Sequence, residues 1–155
     1  MKAGVENKEG ELIQLGGIEV VFFATGKDTD GHADLYEVRV QPGARVPSAH
    51  HHVDMDEVIL GLEGVMTYVV GAEVHEIGPG QRAFSPRGVI HYFVNRGATT
   101  ARVLIVGTPG TLGPDYFREI RTVVTAGGPP DPATLAGVMR RFGLEPMPLP
   151  ASVQL

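Results

Sequence analysis

The sequence predicts an all-β domain followed by two short α-helices. Short apolar segments recur at intervals of roughly 8 to 12 residues, with turn residues between them. Turn formers are abundant, because 21 Gly and 12 Pro occur among the 155 residues. From Pro114 the apolar spacing changes from strand-like alternation to helical steps. Frequent turns between short strands are typical of an antiparallel sandwich or barrel.

Strand segments are recognised by alternating or β-branched apolar residues. The clearest is LYEVRVQ, in which Tyr36, Val38 and Val40 alternate with charged or polar residues. Such alternation is expected of a half-buried strand, because successive side chains point to opposite faces. The predicted strands cover residues 12–15, 18–24, 35–41, 46–52, 57–62, 65–71, 73–77, 81–85, 89–95 and 101–107.

The two helices are predicted from apolar spacing and from end signals. The first contains Pro114, which the first turn of a helix tolerates, and its one-sided apolar residues are Leu112, Phe117, Ile120 and Val124. The second is bounded by Asp131 as N-cap, Pro132 at the first position and Gly143 as the stop. Its apolar stripe consists of Leu135, Val138, Met139 and Phe142. A stripe at this spacing is typical of core packing, and a lid over the barrel is a second interpretation.

Strands and helices are expected to share a single domain. A chain of 155 residues is long enough for one core and too short for two ordinary domains. We expect this domain to span 1–155, with a barrel over 12–107, a C-terminal helical segment over 112–144 and an extended tail over 145–155. The first eleven residues are also expected to form a loose tail.

Composition excludes several classes of function. The formal net charge is −5 and the chain offers no cluster of Lys and Arg, so we expect no nucleic-acid partner. No apolar run approaches the roughly 18 residues that span a bilayer, so no membrane span is expected. The polar start of the chain lacks a signal-peptide pattern, which makes a cytoplasmic location the expectation. Because the chain has no cysteine, any metal must bind through nitrogen and oxygen.

A cluster of histidines and carboxylates is the candidate metal site. His50, His51 and His52 are consecutive, and on a regular strand His50 and His52 share one face while His51 points to the other. The carboxylates that follow are Asp54, Asp56 and Glu57. We favour Glu57 because it opens an apolar strand. His91 lies on a separate predicted strand, and a fold that joins both strands would gather three imidazoles and one carboxylate, a set that suits a first-row divalent ion.

Two segments resemble the two sequence motifs of the cupin superfamily. The segment that resembles the first motif is Gly43...His50-x-His52-x4-Glu57-x6-Gly64. The segment that matches the second motif at each position is Gly80-x5-Pro86-x-Gly88-x2-His91-x3-Asn95. One departure is that six residues separate Gly43 from His50 where the family usually has five. The extra residue precedes the ligands, so it affects the turn more than the metal site.

The resemblance implies a double-stranded β-helix, or jelly-roll barrel, with a metal inside its wider mouth. The implied ligands of one divalent transition metal are His50, His52, Glu57 and His91. Three imidazoles and a carboxylate leave the metal open among Fe, Mn, Ni, Co, Cu and Zn. The chain has no nicotinamide, flavin or phosphate-loop fingerprint, so its chemistry is expected to come from the metal.

The helical segment after a single barrel is similar to that of the small quercetin dioxygenase-like cupins. This likeness implies a dioxygenase that cleaves or oxidises a flavonol-like or diketone-like substrate, with Glu57 as ligand and catalytic base. The implied partners are a small-molecule substrate, dioxygen and a second copy of the chain, bound as a homodimer through an edge strand. Two alternatives remain open: a non-catalytic, metal-containing binding cupin, and a metal-dependent isomerase, epimerase or cyclase.

The pocket wall is predicted from residues near the motif positions. Phe93 shares a strand face with His91 and Asn95, so it is expected to point inward beside the metal. Further candidates for the wall are Phe84, Met66 and Tyr68. Each is also compatible with ordinary barrel core.

Overall fold

The computed structural model of this chain describes residues 10–151, in which ten strands precede two helices and one strand follows them. The first ten strands are β1 (Glu11–Leu15), β2 (Ile18–Ala24), β3 (Asp34–Val40), β4 (Ala49–His52), β5 (Asp56–Glu63), β6 (Met66–Val70), β7 (Glu73–Ile77), β8 (Arg82–Ser85), β9 (His91–Val94) and β10 (Ala101–Thr108). The remaining elements are α1 (Gly113–Val124), α2 (Pro132–Arg141) and β11 (Leu144–Met147).

The strands form two antiparallel sheets with the core between them. The six-stranded sheet has the order β1-β2-β3-β10-β5-β8, and the five-stranded sheet has the order β11-β4-β9-β6-β7. Strands distant in sequence are neighbours, since β10 pairs with both β3 and β5. This architecture confirms the predicted all-β, jelly-roll fold with two short C-terminal helices.

Alternation along β5 and β10 decides which side chains reach the core. In β10, Ala101, Val103 and Ile105 are at most 3% exposed, and the residues between them are partly exposed. In β5, Glu57 and Ile59 are buried, and their neighbours on the strand are more exposed. The inner position at the start of β5 is therefore occupied by a carboxylate rather than by an apolar residue.

The turn between β5 and β6 requires the glycine at position 64. Gly64 has a φ of +63°, a conformation that side chains with a Cβ rarely adopt. A Cβ there would also lie 2.5 Å from the carbonyl oxygen of Thr100. The tight turn that returns the chain to the second sheet thus depends on this residue.

The second helix has the ends that the sequence predicts. Oδ2 of Asp131 accepts a hydrogen bond from the backbone N–H of Thr134 at 2.8 Å, and Pro132 is the first helical residue. Gly143, with a φ of +76°, follows the helix. None of the helices within residues 10–151 has the length and apolar character that crossing a membrane requires.

A buried carboxylate ties the start of α1 to the strands. Asp34, the first residue of β3, is fully buried. Its Oδ2 accepts hydrogen bonds from the backbone N–H groups of Leu112 and Gly113, at 2.9 and 3.1 Å. Its Oδ1 accepts one from the N–H of Gly26 at 2.8 Å. The bonds from Leu112 and Gly113 satisfy donors that the start of a helix otherwise leaves unpaired.

The prediction of an extended tail over 145–155 is wrong at its start. Leu144–Met147 form β11, which pairs with β4 so that Leu144 lies opposite His52 and Met147 opposite Ala49. Pro146 is compatible with a strand because β11 is at the edge of its sheet, where one side needs no backbone donor. Residues 152–155 lie outside the described residues.

Two other predicted boundaries differ from the structure. The predicted N-terminal tail ends too late, because Glu11 already belongs to β1; residues 1–9 lie outside the described part of the chain. The predicted strand over 46–52 is shorter, because β4 begins at Ala49. Pro47 lacks the N–H that a regular ladder would use there.

Candidate metal centre

Two neighbouring strands bring three histidines together. His50 and His52 lie on β4 and His91 lies on β9, with His50 directly opposite His91 in the register. One ring nitrogen from each histidine can be chosen so that all three lie within 4.8 Å of one another. His52 and His91 are 4% and 3% exposed, so the centre is enclosed by protein. The structure thus assembles the three imidazoles that the sequence singled out.

Backbone carbonyls orient two of these rings. Nδ1 of His50 lies 3.1 Å from the carbonyl oxygen of Ser48, and Nδ1 of His91 lies 3.1 Å from that of Val89. A carbonyl oxygen only accepts, so each Nδ1 carries a hydrogen, and in the neutral ring the Nε2 lone pair is then available to a metal. The hydroxyl of Ser85 lies a further 2.8 Å from Nδ1 of His91. Hydrogen bonds to the ring nitrogen that does not bind the metal fix the tautomer of a metal-binding histidine.

Glu57 lies against the histidines and is 4% exposed. Its Oε1 is 3.5 Å from Nε2 of His52, and its Oε2 is 3.2 Å from Nε2 of His91. Two tyrosine hydroxyls also donate to it, Tyr36 to Oε1 at 2.7 Å and Tyr68 to Oε2 at 3.4 Å. Every carboxylate oxygen therefore has a histidine and a tyrosine beside it.

Burial and charge set the protonation of these groups. Burial raises the pKa of Tyr36 and of Tyr68 well above the usual value, and the nearby Glu57 carboxylate raises both further, so both stay protonated as donors. Burial alone would raise the pKa of Glu57, but the charges and hydrogen bonds of His52 and His91 hold it well below its usual range. Burial lowers the pKa of His50 well below its usual range, which favours the neutral imidazole that binds metals.

The residues present fit a divalent transition metal. Imidazole nitrogens and a carboxylate oxygen are the donors that such ions accept in proteins without thiolates. The three histidines converge, and the carboxylate lies beside two of them. His50, His52 and His91 would hold the ion, with Glu57 next to it.

The other members of the polar cluster point elsewhere. His51 does not line the cavity; it lies opposite Glu145 of β11, and its Nδ1 is buried without a hydrogen-bond partner. Asp56 forms an ion pair with Arg87, with Oδ2 2.8 Å from Nη2, and Asp54 is exposed. Of the three carboxylates considered from sequence, Glu57 alone adjoins the histidines.

An apolar cavity of about 140 Å³ opens beside the three histidines. The barrel contributes side chains that include Val20, Val38 and Ile105. The helical segment also reaches the cavity, and the wall residues that it supplies include Leu112, Tyr116, Phe117, Ile120 and Met139. The helices therefore form part of the cavity wall, mainly through α1. Of the predicted stripe on α2, Met139 reaches the cavity, and Leu135 and Val138 are buried in the core, as the core-packing interpretation predicts.

The four predicted wall residues divide into two pairs. Tyr68 and Phe93 line the cavity, and their rings are stacked with centroids 6.0 Å apart. Met66 is fully buried in the core but is not among the cavity residues. Phe84 is 57% exposed and lies outside the cavity, because Ala83 and Ser85 occupy the inward positions of β8.

Tyr36 is the site residue that sequence reasoning missed. Alternation along β3 predicts that it points inward, which is correct, but alternation does not say what it meets there. Its contact with Glu57 depends on β10 lying between β3 and β5, an order that short-range patterns do not specify.

Comparisons with known proteins agree with this fold. Residues 36–107 match the cupin domain family, and a search of curated proteins finds no match. A cupin-superfamily sugar phosphate isomerase from Silicibacter pomeroyi is 31% identical with a TM-score of 0.53, over 61% of this chain and 60% of that one. The aligned part is thus less than two thirds of the isomerase.

Two more distant structures share the fold. KdgF from a Halomonas species is 18% identical with a TM-score of 0.57, over 64% of this chain and 87% of that one. A predicted oxalate decarboxylase from Thermotoga maritima is 22% identical with a TM-score of 0.58, over 66% and 94% of the two chains. The structure is thus a jelly-roll barrel with a group of three histidines that could hold a metal ion. The match over residues 36–107 shows similarity to the cupin domain family over slightly less than half of the chain.

Proposed function

We propose that the protein is a metal-dependent cupin dioxygenase that acts on a small aromatic or enolic substrate. The observation that carries this proposal is the histidine group at the wall of an apolar, aromatic-lined cavity. Polar recognition groups are few on this wall, so a substrate is selected by apolar contact and by its bond to the metal.

His50, His52, His91 and Glu57 are the proposed ligands of one divalent transition metal. When bound, such an ion lowers the pKa of an enol or phenol hydroxyl and makes the resulting anion an electron donor to dioxygen. Glu57 is the proposed base: the substrate O–H bond breaks, the proton moves to the carboxylate, and the electron pair stays on the substrate oxygen. The stacked rings of Tyr68 and Phe93 offer a flat surface to an unsaturated substrate.

The size of the cavity narrows the class of substrate. About 140 Å³ is close to the engineered cavity of about 150 Å³ that binds benzene. A single-ring phenol or a short β-diketone matches this volume. A three-ring flavonol is larger than this volume.

Oxygen uptake tests this function. Chelator-treated protein would be reloaded with Fe, Mn, Ni or Co and supplied with short β-diketones, single-ring enols and phenols, and flavonols. We expect uptake with at least one metal and a small substrate, and loss of uptake in Glu57→Gln. No uptake with any combination would contradict the proposal.

An isomerase that needs no oxygen is the second candidate. The observation that favours it is the 31% identity with the sugar phosphate isomerase. The apolar wall opposes a phosphorylated substrate, because Arg45 is the one Lys or Arg side chain among the described residues that line the cavity. Turnover of a sugar phosphate without oxygen would favour this candidate, and tight binding without turnover would favour a non-catalytic binding cupin.

We also propose a homodimer that forms through the edge of β8. This strand is the last of the six-stranded sheet, so one side of its backbone is unpaired within residues 10–151. Phe84 on β8 and its register partner Val58 on β5 are 57% and 44% exposed, which places apolar surface beside this edge. The same strand of a second copy, related by a two-fold axis, can form backbone hydrogen bonds with this edge.

A further inference from the structure

Glu57 is shared between two histidines and two tyrosines. Its Oε1 lies 2.7 Å from the hydroxyl of Tyr36 and 3.5 Å from Nε2 of His52. Its Oε2 lies 3.4 Å from the hydroxyl of Tyr68 and 3.2 Å from Nε2 of His91. Of the two tyrosine bonds, that of Tyr36 is much the shorter. Tyr36 is therefore the main partner of the carboxylate outside the histidine group.

The ring of Tyr36 is fixed by its neighbours. It stacks on Phe22 of β2 with centroids 4.9 Å apart, and it contacts Phe117 of α1 with centroids 5.8 Å apart. The residue is 2% exposed. A hydroxyl on so confined a ring has little freedom to leave Glu57, because rotation would displace packed aromatic side chains.

We propose that Tyr36 is a positioning residue that competes with the metal for the Oε1 atom of Glu57. The inference rests on the proposed function, because it requires a metal at the three histidines. The histidine nitrogens form a group within 4.8 Å, and Glu57 is not a member of that group. A carboxylate held in this way is a weaker fourth ligand than a free one.

Cobalt affinity tests the proposal without a substrate. Co(II) binding would be measured by competition with a chelating dye for wild type, Tyr36→Phe and Tyr68→Phe. We expect Tyr36→Phe to bind Co(II) about tenfold more tightly, since it loses a hydrogen bond to a charged group. Tyr68→Phe is the matched control, and its longer bond leads us to expect a smaller change, below about threefold.

A double-mutant cycle shows whether the effect passes through Glu57. In the Glu57→Gln background, Tyr36→Phe should leave Co(II) affinity unchanged. The visible absorption of bound Co(II), which weakens as coordination number rises, should change in Tyr36→Phe and not in the double variant. A purely structural role of Tyr36 would alter neither quantity. If Tyr36→Phe does not fold, Phe22→Leu is the second variant. It removes the ring that stacks on Tyr36 and keeps the Tyr36 hydroxyl. Co(II) should then bind more tightly than in wild type, but by less than is expected for Tyr36→Phe.

The outcomes are distinguishable. Equal affinity of wild type and Tyr36→Phe, with Co(II) bound by both, overturns the role of Tyr36 and leaves the proposed metal site intact. Tighter binding that persists with Glu57→Gln also overturns it, because the effect would not depend on the carboxylate. Failure of wild type to bind Co(II) overturns both this inference and the metal-dependent function.

Discussion

His50 and His91 lie directly opposite each other on the neighbouring strands β4 and β9, with ring centroids 4.6 Å apart. This pairing unites two segments about forty residues apart in the sequence and completes the group with His52. Because β4 also pairs with β11, the strand that carries two of the histidines is held from both sides. The centre is therefore built into the sheet rather than on a loop.

We expect Asp34→Asn to lower the free energy of unfolding by about 2–4 kcal/mol. The amide nitrogen of Asn cannot accept a hydrogen bond, so at least one of the buried N–H groups of Gly26, Leu112 and Gly113 would lose its partner. Urea unfolding measures the change. Asp30→Asn is the control, since Asp30 is exposed and Asn tolerates its φ of +52°. Equal stability of both variants would contradict this role.

Glu37 should make stability fall in acid. Burial alone would raise the pKa of Glu37, but hydrogen bonds from Arg102 and Arg39 outweigh it and lower the pKa below the usual value. A depressed folded-state pKa stabilises the protein above the unfolded pKa of about 4.3, and this contribution is lost as pH falls through the folded value.

Glu37→Gln tests this pH dependence. Urea unfolding at pH 6 and at pH 3 should show a smaller loss of stability for the variant than for wild type, because Gln does not titrate. The other carboxylates are common to both proteins, so the difference isolates Glu37. An identical loss in both would show that Glu37 does not contribute.

Truncation of Ile120 should enlarge the cavity. Ile120 lines the cavity from α1 and is 2% exposed. We expect Ile120→Ala to destabilise the protein by about 2–4 kcal/mol and to admit larger ligands. Val123→Ala is the matched control, because Val123 packs on the core from the same helix but does not line the cavity. Equal ligand selectivity in the two variants would contradict the assignment of α1 to the cavity wall.

The proposed dimer depends on the exposed edge of β8. Phe84→Ser should shift the protein toward monomer in light scattering coupled to size exclusion, with the circular dichroism spectrum unchanged. Val74→Ser is the control, since Val74 is 64% exposed on β7 at the edge of the other sheet. A monomeric wild type, or an equal effect of both substitutions, would rule out this interface.

Patterns among neighbouring residues predicted the inner faces of strands and the ends of the second helix. Alternation placed Tyr36, Val38 and Val40 on the inner face of β3, and cap residues Asp131 and Gly143 bounded α2. The histidines were found because a strand puts alternate residues on one face and because the second motif supplied His91. These signals need no knowledge of which strands are neighbours.

Long-range pairing explains what the sequence did not predict. The contact of Tyr36 with Glu57 depends on strand order, and β11 forms only because β4 offers it an edge. Phe84 shows a second limit: on β8 the small residues Ala83 and Ser85 face inward and the large aromatic faces out. Hydrophobicity alone would predict that Phe84 faces the core and that Ala83 and Ser85 face outward.

Metal content tests the central claim most directly. Wild type, His52→Ala and His51→Ala would be purified in parallel without chelator and analysed by elemental mass spectrometry. His51 neighbours His52 on β4 but does not line the cavity, so it is the matched control. We predict about one divalent transition metal per chain in wild type and in His51→Ala, and little or none in a folded His52→Ala. Full occupancy in His52→Ala, or no metal in wild type even after incubation with each ion, would contradict the account.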